Sequence, residues 1–427
     1  MNLSRLLARR LEGGGPIRIG LIGAGKFGSM FLAQVPTTPG LAIAGIADLS
    51  PERARQACRN VGWDEARLAG TAITDDAQAL IARPEIEVVV EATGHPAAGI
   101  RHARAAIAAG KHVVMVNVEA DALAGPLLAR EATAAGVVYS LAYGDQPALI
   151  CELVDWARTS GFRVLAAGKG TKYLPAFHAS TPETVWQYYG LTAEQAAAGG
   201  MNAKMFNSFL DGTKSAIEMA AVANATGLAA PADGLGFPPA PAPELAAVLG
   251  DLRGQVEVVS SVHRNGETVA NNLRWGVYVV FEAPTPYTAR CFKEYGVATD
   301  STGTRAALYR PSHLIGLELG VSIASAVLRG EPTGAPERFR ADVVAVAKKA
   351  LQAGARLDGE GGAMVWGKLV PAAASLAAGG LPIGLASGLA LRGAVPAGRM
   401  LTWDDVDLDQ TDETYRYRRQ MEAMPAA

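Results

Sequence analysis

The feature that most constrains this chain is a glycine turn near its N-terminus. An apolar run, Ile17–Ile22, ends in GAGKFG at 23–28, and apolar residues then recur at helical spacing. This order predicts a strand, a tight turn and a helix. Gly23 would allow the turn, Gly25 would let a pyrophosphate approach the backbone, and Gly28 would let the helix pack on the strand. The unpaired N–H groups of such a helix N-terminus bind anions, so the turn predicts a dinucleotide site.

An acidic residue follows at the spacing that such a site needs. A second apolar run, Leu41–Ala47, ends in Asp48, 20 residues after Gly28, where a carboxylate can accept hydrogen bonds from a ribose diol. Asp48 by itself favours NAD, because it repels a 2′-phosphate. Arg53 and Arg55 follow closely and could pair with that phosphate. We therefore expect NADP, with NAD as the alternative.

The pattern of strands and helices continues through the first third of the chain. Apolar runs at 86–90 and 112–116 alternate with helical segments, which predicts a parallel, doubly wound Rossmann sheet. Ligands lie beyond the carboxyl ends of such strands, so residues 91–94 and 117–121 are expected to border the nicotinamide. The predicted cofactor residues are Gly23, Gly25, Lys26, Phe27, Gly28, Asp48, Arg53, Thr93, Gly94 and Asn117.

Composition narrows the class of protein. The net charge is −2, which offers no basic surface for nucleic acid, and the apolar runs are too short to span a membrane. The three cysteines, Cys58, Cys151 and Cys291, are widely separated and predict neither disulfides nor a cysteine zinc site. We expect a cytoplasmic protein that acts on a small molecule. A chain with 49% hydrophobic residues and an exposed sheet edge is expected to form a homo-oligomer.

Three domains are predicted from changes in this pattern. Residues 1–150, with a returning helix at 313–328, form the dinucleotide domain. Residues 151–336 combine strands and helices, including a helix around 202–227 and a hairpin turn at Asn265-Gly266, and predict an α+β catalytic domain. Residues 337–427 consist of short extended runs broken by glycine and proline, which is typical of a small β-rich module.

The candidate catalytic residues are groups that can hold phosphate or polarise a carbonyl. Lys169 and Lys172 lie in a glycine-rich segment after a strand. Lys204, Ser208 and Asp211 would share one face of a helix. Glu119 follows a strand terminus and could relay a proton or bind a divalent metal, although no diagnostic spacing establishes a metal. The predicted catalytic set is Lys169, Lys172, Lys204, Asp211 and Glu119, and the substrate-binding set is Asn202, Asn207, Ser208 and Lys214.

Several motifs together resemble a known family. The segments GAGKFGSMFLAQV, VNVEAD, GDQPALICEL, GKGTKY and YRPSHLIGLE resemble the deoxyxylulose-phosphate reductoisomerase-like family, within a layout similar to homoserine dehydrogenase. The C-terminal part resembles the small SAF module. One departure from homoserine dehydrogenase is that Asn117 is followed by Val118-Glu119 and not by lysine.

The resemblance implies a reductoisomerase of isoprenoid biosynthesis. Such an enzyme converts 1-deoxy-D-xylulose 5-phosphate to 2-C-methyl-D-erythritol 4-phosphate with NADPH in the methylerythritol phosphate pathway. Two alternatives stay open at this point. The chain could be a dehydrogenase of another small hydroxy-aldehyde or semialdehyde, or a nucleotide sensor without catalytic activity.

Overall fold

Two compact units make up the chain, which a computed structural model describes for residues 2–198 and 201–424. The first unit is Met1–Glu152 with His313–Glu337, and the second is Leu153–Ser312 with Arg338–Ala427. The strands are β1 (Ile17–Ile22), β2 (Leu41–Ala47), β3 (Ala72–Thr74), β4 (Val88–Glu91), β5 (His112–Met115), β6 (Tyr139–Leu141), β7 (Arg163–Thr171), β8 (Gln255–Ser260), β9 (Val277–Glu282), β10 (Arg305–Arg310), β11 (Ala341–Ala347), β12 (Val365–Pro371), β13 (Ala390–Leu391) and β14 (Val406–Asp407).

The α-helices are interspersed among these strands along the chain. They are α1 (Leu3–Gly14), α2 (Lys26–Gln34), α3 (Pro51–Asn60), α4 (Glu65–Ala69), α5 (Ala77–Ile81), α6 (Pro96–Ala108), α7 (Val118–Ala134), α8 (Gln146–Thr159), α9 (Val185–Tyr189), α10 (Ala193–Ala198), α11 (Ala203–Leu210), α12 (Thr213–Thr226), α13 (Leu245–Leu249), α14 (Pro286–Glu294), α15 (Gly320–Arg329), α16 (Ala372–Ala378), α17 (Ile383–Ala386) and α18 (Glu413–Glu422). In the part of the chain that the structure describes, no helix is both long and apolar enough to cross a lipid bilayer.

The first unit contains the predicted parallel sheet. Its six strands lie in the order β3-β2-β1-β4-β5-β6, and every neighbouring pair is parallel. Strand β1 lies at the centre, so the turn that follows it opens at the point where the strand order reverses. The fold class predicted from the sequence, an α/β chain that begins with a Rossmann sheet, is confirmed.

The returning helix is shorter than the sequence pattern indicates. Helix α15 begins at Gly320 and not at His313. Pro311 and Gly316, which has a φ of +80°, keep the preceding residues out of a regular helix. From Gly320 onward the helix packs Ile323 and Ala324 into the core beneath the nucleotide sheet.

The second unit is built on a mixed sheet in the order β10-β9-β7-β8. Strands β7 and β8 are parallel, whereas β9 pairs antiparallel with both β7 and β10. Helix α12 packs on this sheet and is buried along most of its length. The predicted turn at Asn265-Gly266 is present, since the Gly266 N–H donates to the His263 carbonyl over 2.8 Å and Gly266 has a φ of +90°.

The helix predicted around 202–227 is instead two helices. Helix α11 ends at Leu210, and α12 begins at Thr213. Between them Gly212 adopts a φ of +91°, a left-handed conformation that ends a helix because it cannot continue the right-handed hydrogen-bond pattern. A single helical face through residues 204–214 therefore does not exist.

The C-terminal segment contains the expected short strands and also helices that the extended pattern did not predict. Strands β11 and β12 pair antiparallel, as do β13 and β14. Helix α18 then anchors the segment through Arg418, whose guanidinium is fully buried and lies 2.6 Å from Asp342 and 2.8 Å from Glu422. These paired charges explain how a charge-rich helix packs against the strands.

Candidate active site

The glycine turn has the geometry that a bound dinucleotide requires. Gly23 has a φ of +96°, and a Cβ there would lie 2.7 Å from the Ala92 carbonyl oxygen. A Cβ at Gly28 would lie 2.2 Å from the Gly23 carbonyl oxygen, so helix α2 packs directly on the turn. At Gly25, by contrast, a Cβ would meet no atom within 4 Å. The open space beside Gly25, next to the N-terminus of α2, fits a pyrophosphate.

Two further predicted residues begin helix α2. The Lys26 side chain is exposed to solvent, and Phe27 is half-buried and packs on the core of the first unit. Lys26 thus adds a positive charge to the helix N-terminus, while Phe27 fixes the helix on the sheet.

Asp48 lies at the end of β2 and is held against the same turn. Its carboxylate accepts hydrogen bonds from the N–H groups of Ala24, over 2.9 Å, and Ser50, over 3.0 Å. Burial raises the pKa of Asp48, but these backbone hydrogen bonds and the Arg53 guanidinium at 3.1 Å outweigh burial and lower that pKa overall. Asp48 is therefore ionised at neutral pH, and Arg53 compensates part of its charge. Arg55 instead pairs with Glu52 at 3.6 Å.

A hydrogen-bond network connects the ends of β4 and β5. Glu91 is fully buried, and its carboxylate accepts from the Thr93 hydroxyl over 2.6 Å and lies 3.1 Å from His102 Nδ1. The Asn117 amide donates to Thr93 Oγ1 and to the His95 carbonyl. Gly94, between these residues, has a φ of +69° and is exposed. The predicted residues Thr93, Gly94 and Asn117 thus lie together at the carboxyl edge of the sheet.

The acidic residues of helix α7 differ in their surroundings. Glu119 is half-buried in its first turn, whereas Asp121 is fully buried. The Tyr139 hydroxyl donates to one oxygen of Asp121 over 2.9 Å, and the other oxygen has no hydrogen-bond partner among the residues that the structure describes. Burial raises the pKa of Asp121 to about 7, against the opposing effect of the Tyr139 hydrogen bond. Within residues 2–198 and 201–424, no three acidic, histidine or cysteine side chains form a group that could hold a metal ion.

In the second unit, the glycines of GKGTK let strand β7 approach its neighbours closely. A Cβ at Gly168 would lie 1.7 Å from the Glu257 carbonyl oxygen, and one at Gly170 would lie 1.9 Å from the Leu273 carbonyl oxygen. Only glycine fits at these two positions. The lysines between and after them are consequently presented by a tightly packed strand and not by a mobile loop.

Four cationic residues lie near one end of this sheet. The β-sheet register places Lys169 opposite Val277, and Val277 opposite Arg310, so the three residues share one face. Lys172 follows directly after β7. Burial lowers the pKa of Lys172, and the nearby positive charge of Arg274 lowers it further. We call Lys169, Lys172, Arg274 and Arg310 the cationic cluster.

Both lysines of the cationic cluster have partners within the same unit. The Lys169 ammonium is buried and pairs with Glu218 of α12, whose carboxylate is also buried. The Lys172 ammonium donates to the Tyr188 carbonyl and lies 5.8 Å from the centre of the Tyr189 ring. These contacts hold each lysine side chain in a defined position.

The polar residues of helix α11 contact the loop at 358–362. The Lys204 ammonium donates to the Asp358 carbonyl over 2.7 Å, and the Ser208 hydroxyl donates to Glu360 over 2.5 Å. The buried Asn207 amide donates to the Gly361 carbonyl over 3.0 Å. Asn202 caps the helix by accepting from the Met205 N–H over 3.1 Å. These contacts give α11 a structural role.

Two further predicted residues, Asp211 and Lys214, do not belong to the cationic cluster. Asp211 is fully buried and pairs with Lys348 at 2.7 Å. Burial raises the pKa of Asp211, against the opposing effect of the Lys348 charge. Lys214 is half-buried in the first turn of α12.

Sequence reasoning did not find three residues of this region. Glu218 carried a signal, because it is the single charged residue within the mostly apolar helix segment SAIEMAAVANA. Arg310 lies in YRPSHLIGLE, a motif to which no role was assigned. Arg274 precedes Trp275 in a turn and carried no recognisable signal.

Two protein families match the chain, one over most of the parallel sheet of the first unit and the other over the segment that contains the cationic cluster. Residues 17–115 match the oxidoreductase family with an NAD-binding Rossmann fold, GFO_IDH_MocA. Residues 144–319 match the catalytic domain of oxidoreductase DRL. No curated protein is significantly similar to the chain.

Solved structures give partial matches. An inositol dehydrogenase homolog complexed with NAD⁺ from Azotobacter vinelandii is 22% identical, with 40% of this chain and 47% of that chain covered and a TM-score of 0.30. Biliverdin reductase with biliverdin and NADP⁺ from Synechocystis sp. PCC 6803 is 20% identical, covering 37% and 48%, with a TM-score of 0.28. An NAD binding oxidoreductase from Klebsiella pneumoniae is 24% identical, covering 39% and 47%, with a TM-score of 0.29. The chain thus spans about half the length of these three structures.

The two family matches agree with the fold. Residues 17–115, which contain the glycine turn and most of the parallel sheet, are similar to an NAD-binding Rossmann domain of oxidoreductases, and residues 144–319 are similar to an oxidoreductase catalytic domain.

Replacing Gly25 tests the cofactor site. Gly25 has a φ of −71° and open space around its Cβ position, so Gly25→Val should fold normally. Its side chain would occupy the space of the pyrophosphate, and cofactor affinity should fall by about 100-fold or more. Titration of NADPH fluorescence measures this, with Gly393→Val, also at an open position, as the control. Unchanged affinity of Gly25→Val would place the cofactor elsewhere.

Asp121 gives a prediction about pH. Because the folded-state pKa of Asp121 is raised from 3.8 to about 7, the folded chain keeps a proton that the unfolded chain has released. This group's contribution to stability is therefore lost as the pH rises from about 4 to about 7. Asp121→Asn cannot ionise, and it should be more stable than the wild type at about pH 8 by up to about 4 kcal/mol.

Thermal unfolding at several pH values measures this difference. The two proteins should converge in Tm near pH 4, where Asp121 is protonated in the folded chain. Asp75→Asn, at an exposed position, is the control and should show no such pH dependence. A difference in Tm that does not change with pH would contradict the assignment.

Proposed function

We propose that this protein reduces a phosphorylated carbonyl compound with NADPH, and that it is the reductoisomerase that converts 1-deoxy-D-xylulose 5-phosphate to 2-C-methyl-D-erythritol 4-phosphate. The observation that carries the proposal is the cationic cluster, in which Lys169 and Arg310 share one face of the sheet and Lys172 lies beside Arg274. Guanidinium and ammonium groups are the usual protein ligands of phosphate. The motifs GKGTKY and YRPSHLIGLE, on which the family resemblance rests, contribute three of the four cations.

The reaction consists of a rearrangement and a reduction. In the rearrangement, a hydroxyl group loses its proton, the carbon–carbon bond beside it breaks, and a new carbon–carbon bond forms to give a branched aldehyde. The aldehyde carbon then receives a hydride and its oxygen receives a proton, which gives a primary alcohol. NADPH on the turn at 23–28 would supply the hydride.

The residues of the chain would stabilise the charges of this reaction. Negative charge develops on the substrate oxygens while the carbon skeleton rearranges, and fixed cations stabilise it without reorganisation. Burial lowers the pKa of Lys172, which makes its ammonium a better proton donor than that of an exposed lysine. The guanidinium groups of Arg274 and Arg310 would bind the phosphate. The Glu218 carboxylate fixes the orientation of the Lys169 ammonium.

Other parts of the sequence resemblance belong to the same proposal. The layout similar to homoserine dehydrogenase and the SAF-like character of residues 337–427 are predictions that accompany the reductoisomerase assignment. A dehydrogenase of another small hydroxy-aldehyde or semialdehyde would use the same cofactor without the rearrangement. A nucleotide sensor would bind the cofactor without oxidising it.

Arg53 supports NADPH as the preferred cofactor. Its guanidinium pairs with Asp48 but is 70% exposed, so it can also contact a 2′-phosphate and reduces the repulsion between that phosphate and Asp48. Arg53→Ala should raise the Kd for NADPH by about tenfold and leave the Kd for NADH nearly unchanged. Arg55→Ala is the control, because Arg55 pairs with Glu52. A wild-type preference for NADH would contradict the assignment of NADPH.

Turnover tests the proposed reaction. Incubation of the protein with NADPH and 1-deoxy-D-xylulose 5-phosphate should oxidise the cofactor and form 2-C-methyl-D-erythritol 4-phosphate, identified by NMR. Lys172→Met removes a charge-assisted bond worth about 2–4 kcal/mol, so kcat/KM should fall by roughly 30- to 1,000-fold. Lys293→Met, at an exposed position of α14, should keep wild-type activity.

The alternative functions would give different results. Oxidation of NADPH by a simple aldehyde or semialdehyde, with deoxyxylulose phosphate left unchanged, would indicate a dehydrogenase. Cofactor binding without turnover of any carbonyl compound would indicate a sensor. Wild-type turnover by Lys172→Met would remove Lys172 from the reaction.

A further inference from the structure

The second unit contains a cavity of about 490 Å³ that the proposed reaction does not use. It is lined by residues from the catalytic segment, including 175–179 and 233–237, and by residues of the C-terminal segment around β11 and β12. Much of its wall is apolar and includes Phe237, Trp366 and Met400. Protein cavities of this size, with mostly apolar walls and a few polar groups, typically bind small molecules.

Helix α12 separates this cavity from the cationic cluster. Ala216 lines the cavity, whereas Glu218, two residues further along the same helix, pairs with Lys169. Residues two positions apart point about 200° from one another around a helix. None of Lys169, Lys172, Arg274 and Arg310 lines the cavity. A molecule in the cavity would therefore occupy a second site.

His178 in the cavity wall provides an aromatic surface and no charge. Its Nδ1 lies 2.7 Å from the Asp211 carbonyl oxygen, so Nδ1 carries the proton and donates it. Its Nε2 then accepts from the Tyr173 hydroxyl over 2.8 Å. Burial lowers the pKa of His178 to about 4, and the nearby lysine charges also lower it. The ring stacks on Trp366 at 3.8 Å between centroids.

The two lysines of the cavity wall differ in their partners. The Lys348 ammonium already donates three hydrogen bonds of 2.7 Å, to Asp211 and to the carbonyls of Ser180 and Gly362. Lys368, on strand β12, forms no hydrogen bond or ion pair with any residue that the structure describes. Asp233 is the one carboxylate among the described lining residues, and it is exposed and not paired with Lys368. The cavity thus has one cation available for a ligand.

We propose that this cavity binds a small organic anion with a single negative charge, whose aromatic or aliphatic body lies against Phe237 and Trp366 and whose anionic group pairs with Lys368. A single available ammonium favours a monoanion over a diphosphate, because a second negative charge would have no partner. The apolar wall favours a hydrocarbon body over a sugar.

A pair of fluorescent probes tests this proposal on the full chain. 8-Anilinonaphthalene-1-sulfonate is an aromatic monoanion, and N-phenyl-1-naphthylamine is its uncharged analogue. Titrations are made in saturating NADPH, so that the probes cannot occupy the turn at 23–28. The anionic probe should bind the wild type with one-site stoichiometry and more tightly than the neutral probe does.

Three variants identify the site. Lys368→Met should lower the affinity for the anionic probe by about tenfold and leave the affinity for the neutral probe unchanged, because only a charge pair is lost. Ala179→Trp, at an exposed position of the cavity wall, should abolish binding of both probes by filling the entrance. Lys349→Met removes an exposed lysine outside the lining and should behave like the wild type.

Several outcomes would overturn the proposal. Unchanged affinity of the anionic probe for Lys368→Met would do so. An equal loss of affinity for both probes in that variant would also do so, because it would indicate that the cavity has changed shape. If Lys368→Met does not fold, Lys368→Arg should retain tight anion binding, and Ala179→Trp still decides whether the cavity is the site. Wild-type binding by Ala179→Trp would exclude the cavity.

Discussion

The cost of placing a charge away from water organises the second unit of this protein. Lys348 and Asp211 are both buried and lie 2.7 Å apart, and Lys169 and Glu218 form a second buried pair. Loss of either member of such a pair leaves an uncompensated charge and costs several kcal/mol. The first pair joins the C-terminal segment to the end of helix α11, and the second joins helix α12 to strand β7. Both pairs fix elements that are distant in sequence.

The free-energy cost of burying a charge also distinguishes charges that stabilise the fold from charges that remain available to a ligand. A buried cation with a carboxylate partner is satisfied within the fold, as Lys348 is by Asp211 and Lys169 is by Glu218. Lys368 lies in a cavity wall without such a partner among the described residues, and Lys172 has a lowered pKa because it is partly buried beside Arg274. Cations of this second kind are stabilised by an anionic ligand. The proposed roles of Lys172 in the substrate site and of Lys368 in the anion cavity follow from this distinction, whereas Glu218 holds Lys169 in position.

Local constraints made the first unit predictable from the sequence. The turn at Gly23 needs a positive φ, and the packing at Gly28 leaves no room for a Cβ, so the glycine spacing reports the backbone geometry directly. The apolar strands likewise indicate a sheet covered on both faces. The cap of helix α6 is harder to predict from the sequence, because His95 accepts from the Ala98 N–H, a role that histidine seldom has.

Contacts between distant residues could not be predicted from the sequence. The pattern of Lys204 and Ser208 suggested one functional face, but their partners lie about 150 positions away in the loop at 358–362. The register that aligns Lys169 with Arg310 likewise depends on pairing across three strands. A sequence pattern identifies polar residues, and only their partners show whether they stabilise the fold or remain available to a ligand.

The proposed reaction couples a rearrangement of the carbon skeleton to hydride transfer. The most direct measurement uses NADPH with deuterium at the hydride-donating carbon, together with 1-deoxy-D-xylulose 5-phosphate. We predict one deuterium in the 2-C-methyl-D-erythritol 4-phosphate product, at the carbon that was the aldehyde after the rearrangement. An unbranched product with deuterium at the former ketone carbon, or no deuterated product at all, would contradict the account.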